Sequence, residues 1–275
     1  MNIFFYIILF IIGTLFGSFY TLAVYRIPKK QDITHTHSYC PNCNHKLGLL
    51  DLFPVFSYIF LGGKCRYCKD KIRPRYFMLE ILTGIVFVSI AYFMSFDIMN
   101  LNTTKIIEYS FIALYLTFLI LISGIDKENR KINKSVLVYG IVISIMYIIY
   151  LCIVGQANIY RYGIYLILYI IILMFDKITL RKYRKNNYVI KILLMIITMA
   201  VFTGEYITAT SIEFTLLIIA IYLLIYKLKQ RKNRRIMREK YAEKQISNEI
   251  SIGFYLAVTN ILLLIYVLFF NWYIG

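Results

Sequence analysis

Long apolar stretches near residues 3–25, 76–95, 106–125, 134–155, 160–176, 189–204, 211–228 and 252–273 constrain this chain more than any other feature. Most can cross a hydrocarbon core of about 30 Å as a helix, the 160–176 and 189–204 runs being the short ones. With 60% hydrophobic and only 16% charged residues, the chain is too apolar for a soluble domain. The expected fold class is an all-α integral membrane protein with about eight transmembrane helices.

A formal net charge of +17 would suit a nucleic-acid partner, but its distribution argues against one. The basic residues fall in loops 26–75, 127–134, 177–188 and 229–251, whereas the loops near 96–105, 156–159 and 205–210 carry almost none. That alternation places the first set in the cytoplasm beside anionic membrane lipid, with both termini outside a cell membrane crossed an even number of times. The start has no basic n-region and no small-residue cleavage site, so 1–25 reads as a retained first span. The Lys-, Arg- and Glu-rich run 229–248 reads as a solvated helical extension or a lipid-facing basic segment.

The longest polar segment near the front holds two Cys-x2-Cys pairs, Cys40 with Cys43 and Cys65 with Cys68, separated by 21 residues (44 to 64). Each pair bends back to offer two thiolates and the intervening loop brings the pairs together, which is the spacing of a tetrahedral metal site, zinc first. Two disulfides or four idle thiols are the alternatives. The ten Lys and Arg of loop 26–75 put the pairs in the reducing cytoplasm, which disfavours disulfides. Four thiolates close the tetrahedron and leave no position for water, so the ion is expected to be structural. Cys152 stands alone in an apolar run and is expected to pack or face lipid.

Charges inside a bilayer are costly, so the ionisable residues at the spans are informative: Glu80, Glu108, Asp126 and Asp176. Asp126 and Asp176 end two different helices at the same membrane face. Two carboxylates held close share a proton, so that one activates water while the other polarises a carbonyl. The plainer reading makes each an interfacial residue beside Lys127 and Lys177.

The sequence resembles the type IV prepilin peptidase family, membrane aspartic peptidases that are often also N-methyltransferases. The resemblance begins at Gly17-Ser18-Phe19 and Tyr25-Arg26-Ile27-Pro28. It is densest from Cys40-Pro41-Asn42-Cys43 through Asp51-Leu52-Phe53-Pro54-Val55-Phe56-Ser57-Tyr58 to Cys65-Arg66-Tyr67-Cys68, and takes in Arg75-Tyr76, Glu80 and Leu82-Thr83-Gly84. Asp126 with Arg130 and Ile132 is similar to the first catalytic aspartate and its following turn, with Asn133 where proline is usual and Lys134 where a second acid often follows. Ile250-Ser251-Ile252-Gly253-Phe254-Tyr255-Leu256-Ala257 resembles the opening of the family's last span.

The resemblance divides the chain into a first helix (1–25), a zinc loop (26–75) and the remaining helices (76–275), with a peptidase-like part from about 106. It implies cleavage of the leader from pilin-like precursor proteins, and methylation of the new N-terminus with S-adenosylmethionine, with Gly17 and Glu80 as candidate contributors. One departure stands out. Where the family carries its second catalytic aspartate in a Gly-x-Gly-Asp motif, this chain reads Asn186-Asn187-Tyr188-Val189-Ile190-Lys191, with Val189 at the acid's place and neither glycine. That alignment predicts no normal dyad, and Asp176, at the same membrane face, is one candidate replacement. Glu205, after Gly204, is disfavoured because the charge pattern puts it on the outer side. The alternative to an active peptidase is a homologue that binds or methylates a pilin-like partner without cutting it.

Overall fold

In the computed structural model the described residues are 2–33, 37–40, 42–96, 102–183, 187–234 and 250–274. Pro41, Asn186 and the 235–248 part of the basic run lie outside them. The elements are α1 (Asn2–Arg26), two short helices α2 (Leu49–Leu52) and α3 (Phe56–Phe60), then α4 (Pro74–Phe93), α5 (Thr103–Asn129), α6 (Lys134–Val154), α7 (Ile159–Tyr183), α8 (Tyr188–Arg234) and α9 (Ile252–Ile274). Among the described residues seven helices are long and apolar enough to cross a membrane: α1 and α4 to α9. The protein is a multi-pass membrane protein, all-α in class.

One element covers two of the apolar runs. The apolar part of α8 is 38 residues, which as a straight helix would be roughly 57 Å long, nearly twice the hydrocarbon core. Gly204, at φ 82° and ψ 169°, breaks it there in a backbone region that essentially only glycine occupies. Counted by helical run, the eight expected helices are present. The 205–210 stretch, expected as a loop because its hydropathy falls, is helical instead: Thr208 and Ser211 return their hydroxyls to the carbonyls of Gly204 and Ile207 at 2.7 and 2.5 Å, so these two polar groups are satisfied within the helix.

The chain divides into two compact units, residues 1–121 with 265–275, and residues 122–264. In the first, α1 packs along α4 through small residues. A Cβ on Gly13 would lie 2.8 Å from the Cα of Gly84, and one on Gly17 would lie 2.8 Å from the Cα of Glu80. Gly13 and Gly17, four apart, thus let the two backbones approach as closely as lipid-immersed helices do. Tyr20 on α1 meets Thr117 on α5 at 2.6 Å, and the Tyr109 hydroxyl of α5 donates to the Phe87 carbonyl of α4 at 3.1 Å.

In the second unit, buried hydroxyls do the joining. The Tyr169 hydroxyl on α7 bonds Ser144 on α6 (3.2 Å) and Thr198 on α8 (2.9 Å). Asn260 on α9 donates to Thr203 and Ser211 on either side of the Gly204 break, at 3.3 and 3.1 Å. Such interhelical bonds hold where the hydrophobic effect between lipid-exposed helices is absent.

Gly17→Leu is expected to lower unfolding stability by about 1–3 kcal/mol, because the side chain has only helix α4 to enter. Gly163→Leu, where a Cβ meets nothing within 4 Å, serves as the control in detergent unfolding curves.

Candidate functional site

The two cysteine pairs form matching knuckles. The Cys40 N–H bonds the His45 carbonyl and the Asn44 N–H the Cys40 carbonyl; the Cys65 N–H bonds the Asp70 carbonyl and the Lys69 N–H the Cys65 carbonyl, all at 2.8–3.0 Å. The residue after each pair, Asn44 (φ 56°) and Lys69 (φ 60°), turns left-handed to make the reversal. Arg26, buried at the end of α1, ties the loop's start through the carbonyls of Asp32 and His37.

The four Sγ atoms lie within 4.8 Å of one another, and Cys40 and Cys68 are 3.8 Å apart. That separation is far beyond an S–S bond of about 2.05 Å, and all five cysteines are free thiols, so the disulfide reading fails. It is the edge of a tetrahedron whose centre lies about 2.3 Å from each sulfur, a fit for a thiolate-bound metal ion. The thiols also differ in acidity. Burial raises Cys40, but the N–H groups of Cys43 and Asn42 and the thiols of Cys65 and Cys43 outweigh it, giving about 7. The Asp70 N–H lowers Cys68, while burial and the three neighbouring sulfurs push it up to about 12. Four thiolates this close need a cation among them.

Around the knuckles, Arg66 meets Asp51 at 2.6 Å and the Tyr67 hydroxyl donates to the same carboxylate at 3.3 Å. Burial would raise Asp51, yet Arg66, the Gly48 N–H and Tyr67 hold it below the usual carboxylate range. The stability it contributes is therefore present above the unfolded-state pKa and lost as the pH falls through the lower folded value.

Glu80, buried on α4, accepts from the Val55 N–H at 2.8 Å and from the Ser18 side chain. Val55 sits at φ 63°, ψ −54°, with the Phe56 N–H on the Pro54 carbonyl at 2.6 Å: a positive-φ γ-turn, rare and strained for a β-branched residue. Glu80 holds that turn in place.

The second unit builds its own site from Asp126, near the end of α5 and fully buried. The Tyr188 hydroxyl donates to its Oδ2 at 2.8 Å, and so does the Phe254 N–H at 3.1 Å; the Gly253 N–H donates to the Tyr188 oxygen at 3.2 Å. Gly253 and Phe254 are in the first turn of α9, whose N–H groups have no intrahelical acceptors. Asp126 and Tyr188 thus cap α9 from outside, the carboxylate lying at the positive end of the helix dipole. A Cβ on Gly253 would come 3.0 Å from Oδ2, so any side chain there would press on the carboxylate. Asp126 Oδ1 is buried without a partner among the described residues.

Two further contacts fix the turn after Asp126. Lys191 on α8 donates to the Ile132 carbonyl at 2.8 Å, and Asn133, at the place where proline was expected, caps α6 by accepting from the Ser135 N–H at 2.8 Å.

Of the acids singled out from the sequence, Asp126 and Asp176 share no hydrogen bond among those of Asp126. Asp176 is half-buried near the end of α7 and lies within electrostatic range of Lys191. Glu108 is half-buried in α5. Glu205, at the Gly204 break, accepts from the Tyr165 hydroxyl at 2.6 Å and pairs with Arg161 at 2.8 Å. It stands 17 residues (205 − 188) beyond Tyr188 on α8, roughly 25 Å of helix. Cys152 is exposed on α6.

Val189 is 69% exposed and turned away; its neighbour Tyr188 is the residue that faces Asp126. The sequence offered one signal for it, a phenol directly before the position of the missing acid.

Residues 11–94 match the family Bacterial Peptidase A24 N-terminal domain. The chain is similar to the prepilin leader peptidase/N-methyltransferase of Vibrio cholerae serotype O1, 34% identical over 119 residues that are 40% of this chain and 44% of the relative. It is 37% identical over 83 residues to the protein of that name from Myxococcus xanthus (30% of this chain, 25% of the relative). Against the one from Klebsiella pneumoniae it is 28% identical over 128 residues (44% and 52%). These matches span about half or less of the length of the relatives. No solved structure matches the chain.

Tyr188→Phe, which orphans the Gly253 N–H and removes a donor from Asp126, is expected to cost about 1–3 kcal/mol of stability. Val189→Ala next to it is expected to leave the melting temperature in detergent unchanged, its side chain being largely exposed.

Proposed function

We propose, on the premise that this chain belongs to the type IV prepilin peptidase family through its residues 11–94, that it binds pilin-like precursor proteins in the membrane without cutting them by two-aspartate chemistry. A pilin-like partner carries a short basic leader followed by an apolar helix, and a multi-pass membrane protein of this family would receive that helix in the bilayer.

The observation that carries this reading is the occupation of Asp126. One of its oxygens accepts from a phenol and from the first turn of α9, where peptide hydrolysis by a dyad requires a second carboxylate sharing its proton. A phenol whose one proton is already committed to the bond with Asp126 is no substitute for that acid.

A second reading, an active peptidase using Asp126 and Asp176, is favoured by a single observation. Asp176 interacts with Lys191, which itself binds the turn following Asp126.

The ion held by Cys40, Cys43, Cys65 and Cys68 is taken as zinc, on donor chemistry: four thiolates, closed and structural. Methyl transfer would need S-adenosylmethionine. Glu80, with its carboxylate engaged by Val55 and Ser18, fits an anchor of the loop and not a ligand of that cofactor.

The test is to co-express the full chain with a pilin-like precursor, or supply the already processed form with S-adenosylmethionine, and weigh the products. The expected result is an intact precursor that co-purifies with the chain. Loss of the leader that disappears in both Asp126→Ala and Asp176→Ala would overturn the proposal in favour of the second reading. Gain of one methyl group on the processed form would add transferase activity to binding.

One zinc per chain is expected by elemental analysis. Cys40→Ser combined with Cys65→Ser should abolish it and make the 26–75 loop sensitive to protease while the helices stay folded.

A further inference from the structure

Between the knuckles, residues 49–61 read Leu-Leu-Asp-Leu-Phe-Pro-Val-Phe-Ser-Tyr-Ile-Phe-Leu, with Asp51 as the one charge. They fold as α2, the γ-turn at Val55 and α3, and five of their large apolar side chains are exposed. Leu50 is 77% exposed, Phe53 47%, Phe56 49%, Ile59 59% and Phe60 84%. Five such side chains within eleven residues (50 to 60), with Phe53 and Phe56 in ring contact at 5.5 Å, expose apolar surface of the kind that marks an interaction site. Asp51, the one acid of this segment, is turned back onto Arg66 and Tyr67.

The depth of this element is fixed by α4. Helix α4, Pro74–Phe93, has 20 residues, about 30 Å at 1.5 Å per residue, which is the thickness of the hydrocarbon core with nothing to spare. Tyr58 stacks on Phe77 of that helix, with ring centroids 4.8 Å apart and planes 20° from parallel, and the Val55 N–H bonds Glu80. Phe77 and Glu80 lie three and six residues past Pro74, roughly 4–9 Å along the helix axis. The exposed aromatic side chains are thus held beside the first turns of a membrane span, below the level at which that span enters the bilayer.

Charge supports the same placement. Loop 26–75 has ten Lys and Arg against three Asp, a net of +7 (10 − 3), and Lys46, Lys64, Lys69 and Lys71 are exposed around the knuckles. Cations flanking an apolar face give the pattern of an element lying in the interface of an anionic membrane.

We propose that residues 50–60 are an interfacial membrane-insertion element, whose Phe56, Ile59 and Phe60 sit among lipid acyl chains near the headgroups. The knuckles and the Glu80–Val55 bond then serve to hold a strained turn at that depth. The metal-binding loop is not a free cytoplasmic domain but a wedge at the membrane surface. This placement rests on the fold alone and is independent of whether the chain binds or cuts a precursor.

The experiment uses the full chain in vesicles of phosphatidylcholine and phosphatidylglycerol brominated on the upper acyl carbons. Trp272, the one tryptophan, is replaced by Phe, and Phe60→Trp supplies a single probe at the tip of α3. The expected result is blue-shifted emission quenched roughly twofold or more by the brominated lipid and shielded from aqueous acrylamide. Quenching by acrylamide with no effect of bromine overturns the proposal, placing the tip in water. Quenching by neither overturns it as well, since the tip is then covered by protein, whether a second copy, a bound partner or another part of the chain. Phe56→Trp in the same background is read in the same way, so that a folding defect of one variant does not decide the result.

Discussion

A carboxylate buried at the end of one helix accepts from the first turn of another, and the second unit depends on that contact. Asp126 leaves α5 to meet the Phe254 N–H of α9, while Tyr188 at the start of α8 bridges the carboxylate and the Gly253 N–H. Three helix ends far apart in sequence are joined at one point. In a bilayer an unsatisfied N–H costs several kcal/mol, and the contact supplies acceptors for two N–H groups in the first turn of α9, those of Gly253 and Phe254. Lys191 on the Ile132 carbonyl and Asn133 on the Ser135 N–H finish the same task for the turn after α5.

The first unit meets the same constraint differently. Its helices approach through Gly13, Gly17 and Gly84, where absence of a side chain is what permits contact. Its polar work is done in the loop, where Glu80 reaches out of α4 to hold the Val55 N–H. A β-branched residue at positive φ persists only when its surroundings over-determine it. Glu80 on one side, the Tyr58–Phe77 stack on the other and the knuckles beyond provide that.

Much of this was legible in the sequence, and the reasons for the remainder are physical. Span positions follow from hydropathy because the bilayer sets a length that local composition must meet. The cysteine cluster follows from spacing because two tight turns and a tetrahedron leave little choice. The Gly204 break was visible only as a gap between two apolar runs; that the polar residues after it stay helical depends on hydroxyls bonding the preceding turn, which hydropathy does not record. For Tyr188 the sequence carried only one faint signal, a phenol directly before the place of the missing acid, and nothing that paired it with Asp126. The pairing joins residues 62 apart (188 − 126), and which of Tyr188 and Val189 turns inward is decided by the rotation of α8 about its axis.

That rotation bears on what the missing acid means. Were Val189 directed at Asp126, the site would be a dyad with one member deleted, an orphaned carboxylate facing a hydrocarbon side chain. Instead the helix presents a phenol that donates to Asp126 and accepts from Gly253, so the carboxylate has a complete set of contacts on one oxygen without a second acid. An aspartate that served only a proton-sharing pair would lose its reason to be buried once its partner became valine. Asp126 keeps one, because removing it leaves the Tyr188 hydroxyl and the Phe254 N–H without acceptors. The presence of the first aspartate in this chain is therefore explained by architecture, and it does not by itself argue for the chemistry that the second would have completed.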